Sequence, residues 1–193
     1  MKPHALLLAL LLAPAVSAAP ATPAATARPA TPAATAKPAA HATAGTPSHS
    51  VRITGAVKAP AEFDVAALKK LLPRDSGPVD VVCASGAVVG KVQNFRGVRL
   101  TDVLDRVGID LKEHKDDRRM VIVARATDGY VVTFSWSELY NTPIGKDVLV
   151  AWEKDGKPLD AREGQLLLIS GQDIKTGPRH VRWLSNIEVI RMK

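Results

Sequence analysis

The sequence predicts an α+β fold for Val51–Lys193. Strand-like runs dominate there, the helical stretches are short, and no strand–helix alternation persists along the chain. Without that alternation there is no setting for a dinucleotide-binding or phosphate-loop nucleotide site.

The elements follow in order. Val51–Val57 alternates apolar and polar residues as a strand does and ends at Ala59-Pro60. Asp64 is placed to cap a helix over "VAALKKLL", which Pro73 stops. "PVDVVCAS" reads as a buried strand whose end presents Cys83, and a glycine-containing loop runs from Ser85 to Gly97. In "LTDVLDRVG", Leu100, Val103, Leu104 and Val107 share one helical face, with Thr101 as cap and Gly108 as terminator. "RRMVIVARA" and "YVVTFSW" are strands joined by a turn at Asp128-Gly129, and "SELYNTPIG" is a short helix or turn. "DVLVAWE" and "KPL" flank a turn at Asp155-Gly156, and "QLLLIS" and "IEVI" complete the strands.

The residues before this domain have another composition. Residues 1–18 read as a secretory signal, with Lys2, an apolar run Ala5–Leu12 and a small-residue cleavage site at Val16-Ser17-Ala18. That run is too short to span a membrane, and no later segment reaches the roughly 20 apolar residues needed. The mature chain is therefore expected to be exported, periplasmic or secreted, without a membrane span. Residues 19–49 are almost entirely Ala, Pro and Thr, and a nine-residue unit beginning "ATPAATA" at Ala21 recurs at Ala30. Frequent proline and the lack of large apolar residues make this a tether and not part of a core. About 145 residues remain, enough for one domain with one core; the expected domain is 50–193.

Charge and cysteine usage narrow the function. All 19 acidic residues and 23 of the 26 Lys and Arg lie in Val51–Lys193, an excess of four positive charges. That excess, with few aromatic residues, does not point to nucleic acid, but it suits a small anionic ligand where cations converge. Cys83 is the only cysteine, so the chain forms no internal disulfide, and no CxxC, HxxxH or HExxH pattern marks a zinc site. "KTGPRHVRWLSNIEV", residues 175–189, crowds three cations and His180 around Gly177, Pro178 and Trp183 just before a strand. It reads either as an anion-binding loop or as the plain approach to a closing strand. Trp183 is expected in the core.

Taken in order, "VVCASG", "FRGVRLTDVLDRVGI", "TDGYVVTFSWSEL", "VLVAWEKDGKPLDAREGQ" and "GPRHVRWLSNIEV" resemble the sulfite-oxidase-type molybdopterin-binding domain. The resemblance covers nearly all of Val51–Lys193 and implies that family's fold, mixed β-sheets with short helices. It implies a molybdenum–molybdopterin cofactor with Cys83 as metal ligand, Arg179, His180 and Arg182 on the cofactor's phosphate and pterin, and Tyr130 beside the substrate. A thiolate suits a high-valent oxo-metal, and arginine suits a phosphate. The chain also departs from the pattern. Asn and Arg do not follow the cysteine, Ala87 replaces an aromatic of the methionine sulfoxide reductase branch, and Leu166 and Leu168 replace a Pro and an Arg. The family's upstream Arg- and His-bearing segment has no counterpart, and the signal lacks the arginine pair that exports a loaded protein. Two functions stay open: a cofactor-free relative that binds a small anion in the retained pocket, and a molybdenum-dependent oxidoreductase with an electron partner.

Overall fold

The computed structural model describes residues 46–193, all within the second of two units of the chain, Ala39–Lys193. The expected signal over 1–18 and the tether up to residue 45 lie outside the described residues. The last of the expected tether is not tether-like: Thr127 Oγ1 donates to the Thr46 carbonyl at 2.7 Å, and Ser48 is buried. Ordered structure thus begins before residue 50.

The fold is α+β, as expected, with mixed sheets and short helices. One five-stranded sheet has the order β2-β1-β12-β7-β8, formed by Ala61–Asp64, Ser50–Gly55, Leu184–Arg191, Met120–Ala126 and Val131–Ser135. β1 and β12 run parallel and the other pairs antiparallel. The first strand of the domain therefore lies beside the last. A second, antiparallel sheet centres on β9 (Val148–Lys154), with β6 (Phe95–Arg99) on one side and β10 (Lys157–Pro158) and β11 (Leu167–Ser170) also paired to it. β3 (Arg74–Asp75) extends β6, and β4 (Val79–Val82) with β5 (Val88–Val92) forms a separate hairpin.

β9 and β11 explain the continuous apolar runs. Val148, Val150, Trp152, Leu166 and Leu168 face the main core, while Leu149, Ala151, Leu167 and Ile169 face a smaller one with Phe95, Val79 and Val92. A sheet covered on both faces has no solvent side on which alternation could show. Leu166 and Leu168 are fully buried, so these two departures from the family pattern serve packing.

The helices match in kind and differ in detail. α2 (Leu100–Val107) buries Leu100, Val103, Leu104 and Val107 and ends at Gly108 with φ 68°. Its cap position is Arg99, not Thr101, which is buried in the first turn; Arg99 pairs instead with Asp102 at 2.8 Å. Asp64 does cap α1 (Val65–Leu68), accepting from Ala67 N–H at 2.7 Å. That helix is one turn, because only Leu68 is fully buried and Leu72 is 66% exposed. α3 (Trp136–Asn141) is capped by Ser135 and followed by a 3-10 turn over Pro143–Asp147. The expected loop Ser85–Gly97 holds β5 and most of β6. β5 buries only Val92, so it shows no apolar period. Gly97 reads as a loop residue but marks a close approach, since a Cβ there would stand 2.4 Å from the Val150 carbonyl oxygen.

Candidate functional site

A cleft of about 630 Å³ opens where three segments meet: the β4–β5 hairpin, the β7–β8 turn and the approach to β12. Val81, Cys83 and Val89 come from the first, Asp128 and Tyr130 from the second, and Gly177, Pro178, His180, Arg182 and Trp183 from the third. Arg162, in the loop before β11, completes the wall. Four of the five expected site residues, Cys83, Tyr130, His180 and Arg182, are therefore brought together.

Arg179 is not among them. Its guanidinium hydrogen-bonds Asp173 with both Nε (2.6 Å) and a terminal nitrogen, reaches Glu138 of α3 at 2.7 Å, and lies 4.4 Å from the centre of the Phe134 ring. Two carboxylates and an aromatic face satisfy it. It braces the loop and is not a cation offered to a ligand, a correction to the expected phosphate contact.

Cys83 sits one residue past β4, in a half-buried hairpin and not at the end of a buried strand. The Ser85 hydroxyl lies 2.8 Å from its Sγ, and this contact, followed by main-chain N–H groups of the same turn, holds the thiol below its ordinary range. His180 is pushed down to about 4, chiefly by burial and then by the charges of Arg182 and Lys154, so its imidazole is neutral at neutral pH. Its Nε2 is buried without a hydrogen-bond partner, and its ring meets Phe95 edge-on at 5.9 Å. Tyr130 donates its hydroxyl proton to the Pro178 carbonyl at 2.6 Å, so the expected substrate-side tyrosine ties the cleft's second and third segments together.

Trp183 is not in either core. It is half-buried on the cleft wall with φ 48°, a left-handed conformation uncommon for a bulky residue. The surroundings over-determine it: its N–H donates to Glu163 O, its carbonyl accepts from Thr127 N–H, and its indole N–H donates to Ala161 O at 3.0 Å. The ring edge also lies over Gly164, where a Cβ would come within 2.6 Å of it. The backbone turn required to send β12 back into the sheet swings the indole outward.

The charge balance of the cleft is positive. Arg162 and Arg182 are exposed and, among the described residues, have no carboxylate within ion-pair distance. Among the described residues Asp128 is the only acid on the wall, and its Oδ1 accepts from Tyr130 N–H at 2.9 Å. Arg162 was not singled out in the sequence, where "DAREGQ" looks like any solvated loop. Among the described residues no three His, Cys, Asp or Glu side chains gather as a metal site, and no helix is long and apolar enough to cross a membrane.

The family model of the oxidoreductase molybdopterin binding domain matches residues 37–193. The chain belongs to this family. The fold agrees with it: the crystal structure of the sulfane dehydrogenase SoxCD from Paracoccus pantotrophus superposes with a TM-score of 0.57 at 17% identity. That match covers 73% of this chain and 38% of the SoxCD chain, so the present chain spans well under half of that protein. A search among curated proteins gave no match.

The donor set of the cleft fits the cofactor that names the family. A thiol held below its ordinary range and two arginines without acidic partners among the described residues line one space, and His180 on the same wall keeps a buried Nε2 without a hydrogen-bond partner. Cys83 would be the metal ligand, Arg162 and Arg182 would hold the phosphate, and His180 would meet a polar edge of the pterin. When bound, such a group supplies oxygen-atom or electron transfer at its metal.

Proposed function

We propose that this chain is an exported, binding member of the family whose cleft takes a small phosphate-bearing anion on Arg162 and Arg182. The observation that carries this reading is the pairing pattern of the arginines around the site. Arg179 is neutralised by Asp173 and Glu138, whereas Arg162 and Arg182 line the cleft with no acid on either among the described residues. Guanidinium groups without carboxylate partners are the usual receptors for phosphate oxygens. The neutral His180 adds a polar atom that needs a partner, without adding charge.

Anion binding stabilises the folded state by mass action. Inorganic phosphate should therefore raise the melting temperature of the protein, and Arg162→Ala/Arg182→Ala should abolish that increment. Sodium chloride should weaken the increment, because both groups are exposed. Arg179→Ala should keep the increment while costing about 2 kcal/mol of stability, since it strands two partly buried carboxylates. A double variant that responds to phosphate as the parent does contradicts the proposal.

A second reading, a molybdopterin-dependent oxidoreductase, is favoured by one observation, the lowered thiol of Cys83 on the wall of the same cleft. Elemental analysis of protein from its native host separates the two. Molybdenum near one atom per chain, lost on Cys83→Ser, supports the enzyme; protein without molybdenum that still responds to phosphate supports the binding reading.

A further inference from the structure

β4 ends one residue before Cys83, and among the described residues only one of its edges has a strand partner, β5. On the other edge, the carbonyl of Asp80 and the N–H of Val82 need partners of their own. One side chain more than ninety residues away serves both. Val82 N–H donates to Thr176 Oγ1 at 3.0 Å, and the Thr176 hydroxyl donates to the Asp80 carbonyl at 2.6 Å. Thr176 is 3% exposed. Its hydroxyl thus stands in for the two-point pairing of an adjacent strand.

The residues on either side of Thr176 tighten the same junction. A Cβ on Gly177 would stand 2.8 Å from the Val82 carbonyl oxygen and 3.3 Å from the Cys83 Cα, so only glycine allows this approach. Lys175 Nζ donates to the Ala84 carbonyl. Three consecutive residues, 175–177, therefore hold main-chain groups of residues 80–84.

We propose that Thr176 is a positioning residue for Cys83, fixing the thiol-bearing end of β4 against the loop that carries His180 and Arg182. The other end of that loop is anchored separately by Arg179 on Asp173 and Glu138. Losing the Thr176 hydroxyl should accordingly release β4 and leave the arginines in place. Replacing the hydroxyl by a methyl leaves a buried donor and a buried acceptor unpaired, whereas serine preserves both bonds. This role goes beyond the anion reading and does not depend on what the cleft binds.

The test compares Thr176→Val and Thr176→Ser with the parent, all as the full chain. Cys83 is reacted with a neutral disulfide reagent at about pH 10, above the ordinary thiol range, so that ionisation is equal and the rate reports access alone. The valine variant should react about tenfold faster than the parent, its Val82 amide should exchange faster by a similar factor, and the serine variant should stay within about twofold. The melting increment with inorganic phosphate should survive in the valine variant. A valine variant that reacts and exchanges like the parent overturns the proposal. Should that variant fail to fold, the parent decides: a Val82 amide that exchanges as fast as that of Ser85 in the exposed turn also overturns it. A parent with no phosphate increment would overturn the anion reading instead, without altering any of these outcomes.

Discussion

His180 carries a structural cost on the wall of the cleft. Burial and two neighbouring cations hold its imidazole down to about 4, against about 6.5 for a free histidine. Between those values the unfolded chain binds a proton that the folded chain refuses. The stability linked to this group is therefore complete above about pH 6.5 and is lost as the pH falls towards 4. His180→Gln should flatten the stability curve across that window by roughly 3 kcal/mol, measured by urea unfolding at pH 7 and pH 4.5. Equal pH slopes in parent and variant would remove the burial argument. At this scale the sequence named four of the residues that line the cleft. Cys83, Tyr130, His180 and Arg182 were readable because each stands within a stretch whose order is specific. Arg179 was misplaced because its partners, Glu138 and Asp173, are fixed by the fold and not by neighbours in sequence. Arg162 and Thr176 carried no local signal, one being a loop cation and the other a loop hydroxyl.

At the scale of elements, apolar period decided what could be foreseen. α2 shows a clean helical face, so its buried side and its end at Gly108 were foreseen although its cap was set at Thr101 and not Arg99; one side packs on the core and the other meets solvent. β5 and β6 were missed because one is half-exposed and the other contains a glycine demanded by the neighbouring backbone. The helix after Asp64 was overextended: a good cap starts a helix, but without a second buried residue nothing sustains it. Leu104 of α2 and Leu168 of β11 are both fully buried in the main core. Either leucine replaced by alanine should cost about 2–5 kcal/mol in denaturant unfolding, the usual range for a buried leucine. Trp183→Ala should cost clearly less than either, because the indole is half-buried on the cleft wall. A tryptophan variant as damaging as Leu104→Ala would return Trp183 to the core.

For the whole molecule, the parallel pairing of β1 with β12 brings the start of the domain beside its end, and the cleft forms next to that closure. Truncation should reveal where the cooperative unit begins. A chain lacking residues 1–49 should be less stable than one lacking residues 1–45, because Thr46 bonds the β7–β8 turn region and Ser48 is buried. Equal melting temperatures for the two truncations would restore the boundary at residue 50. The sheet arrangement itself was legible only through family resemblance, since pairing between strands over a hundred residues apart leaves no local trace. Arg162 and Arg182, and not Arg179, are proposed to receive an anion in this cleft. A phosphate titration of nitrogen-15-labelled protein, followed through the arginine side-chain N–H resonances, tests it most directly. Saturable shifts are expected at Arg162 and Arg182, with the backbone amide of His180 moving alongside and Arg179 unmoved. Shifts confined to Arg179, or none at Arg162 and Arg182, would contradict it.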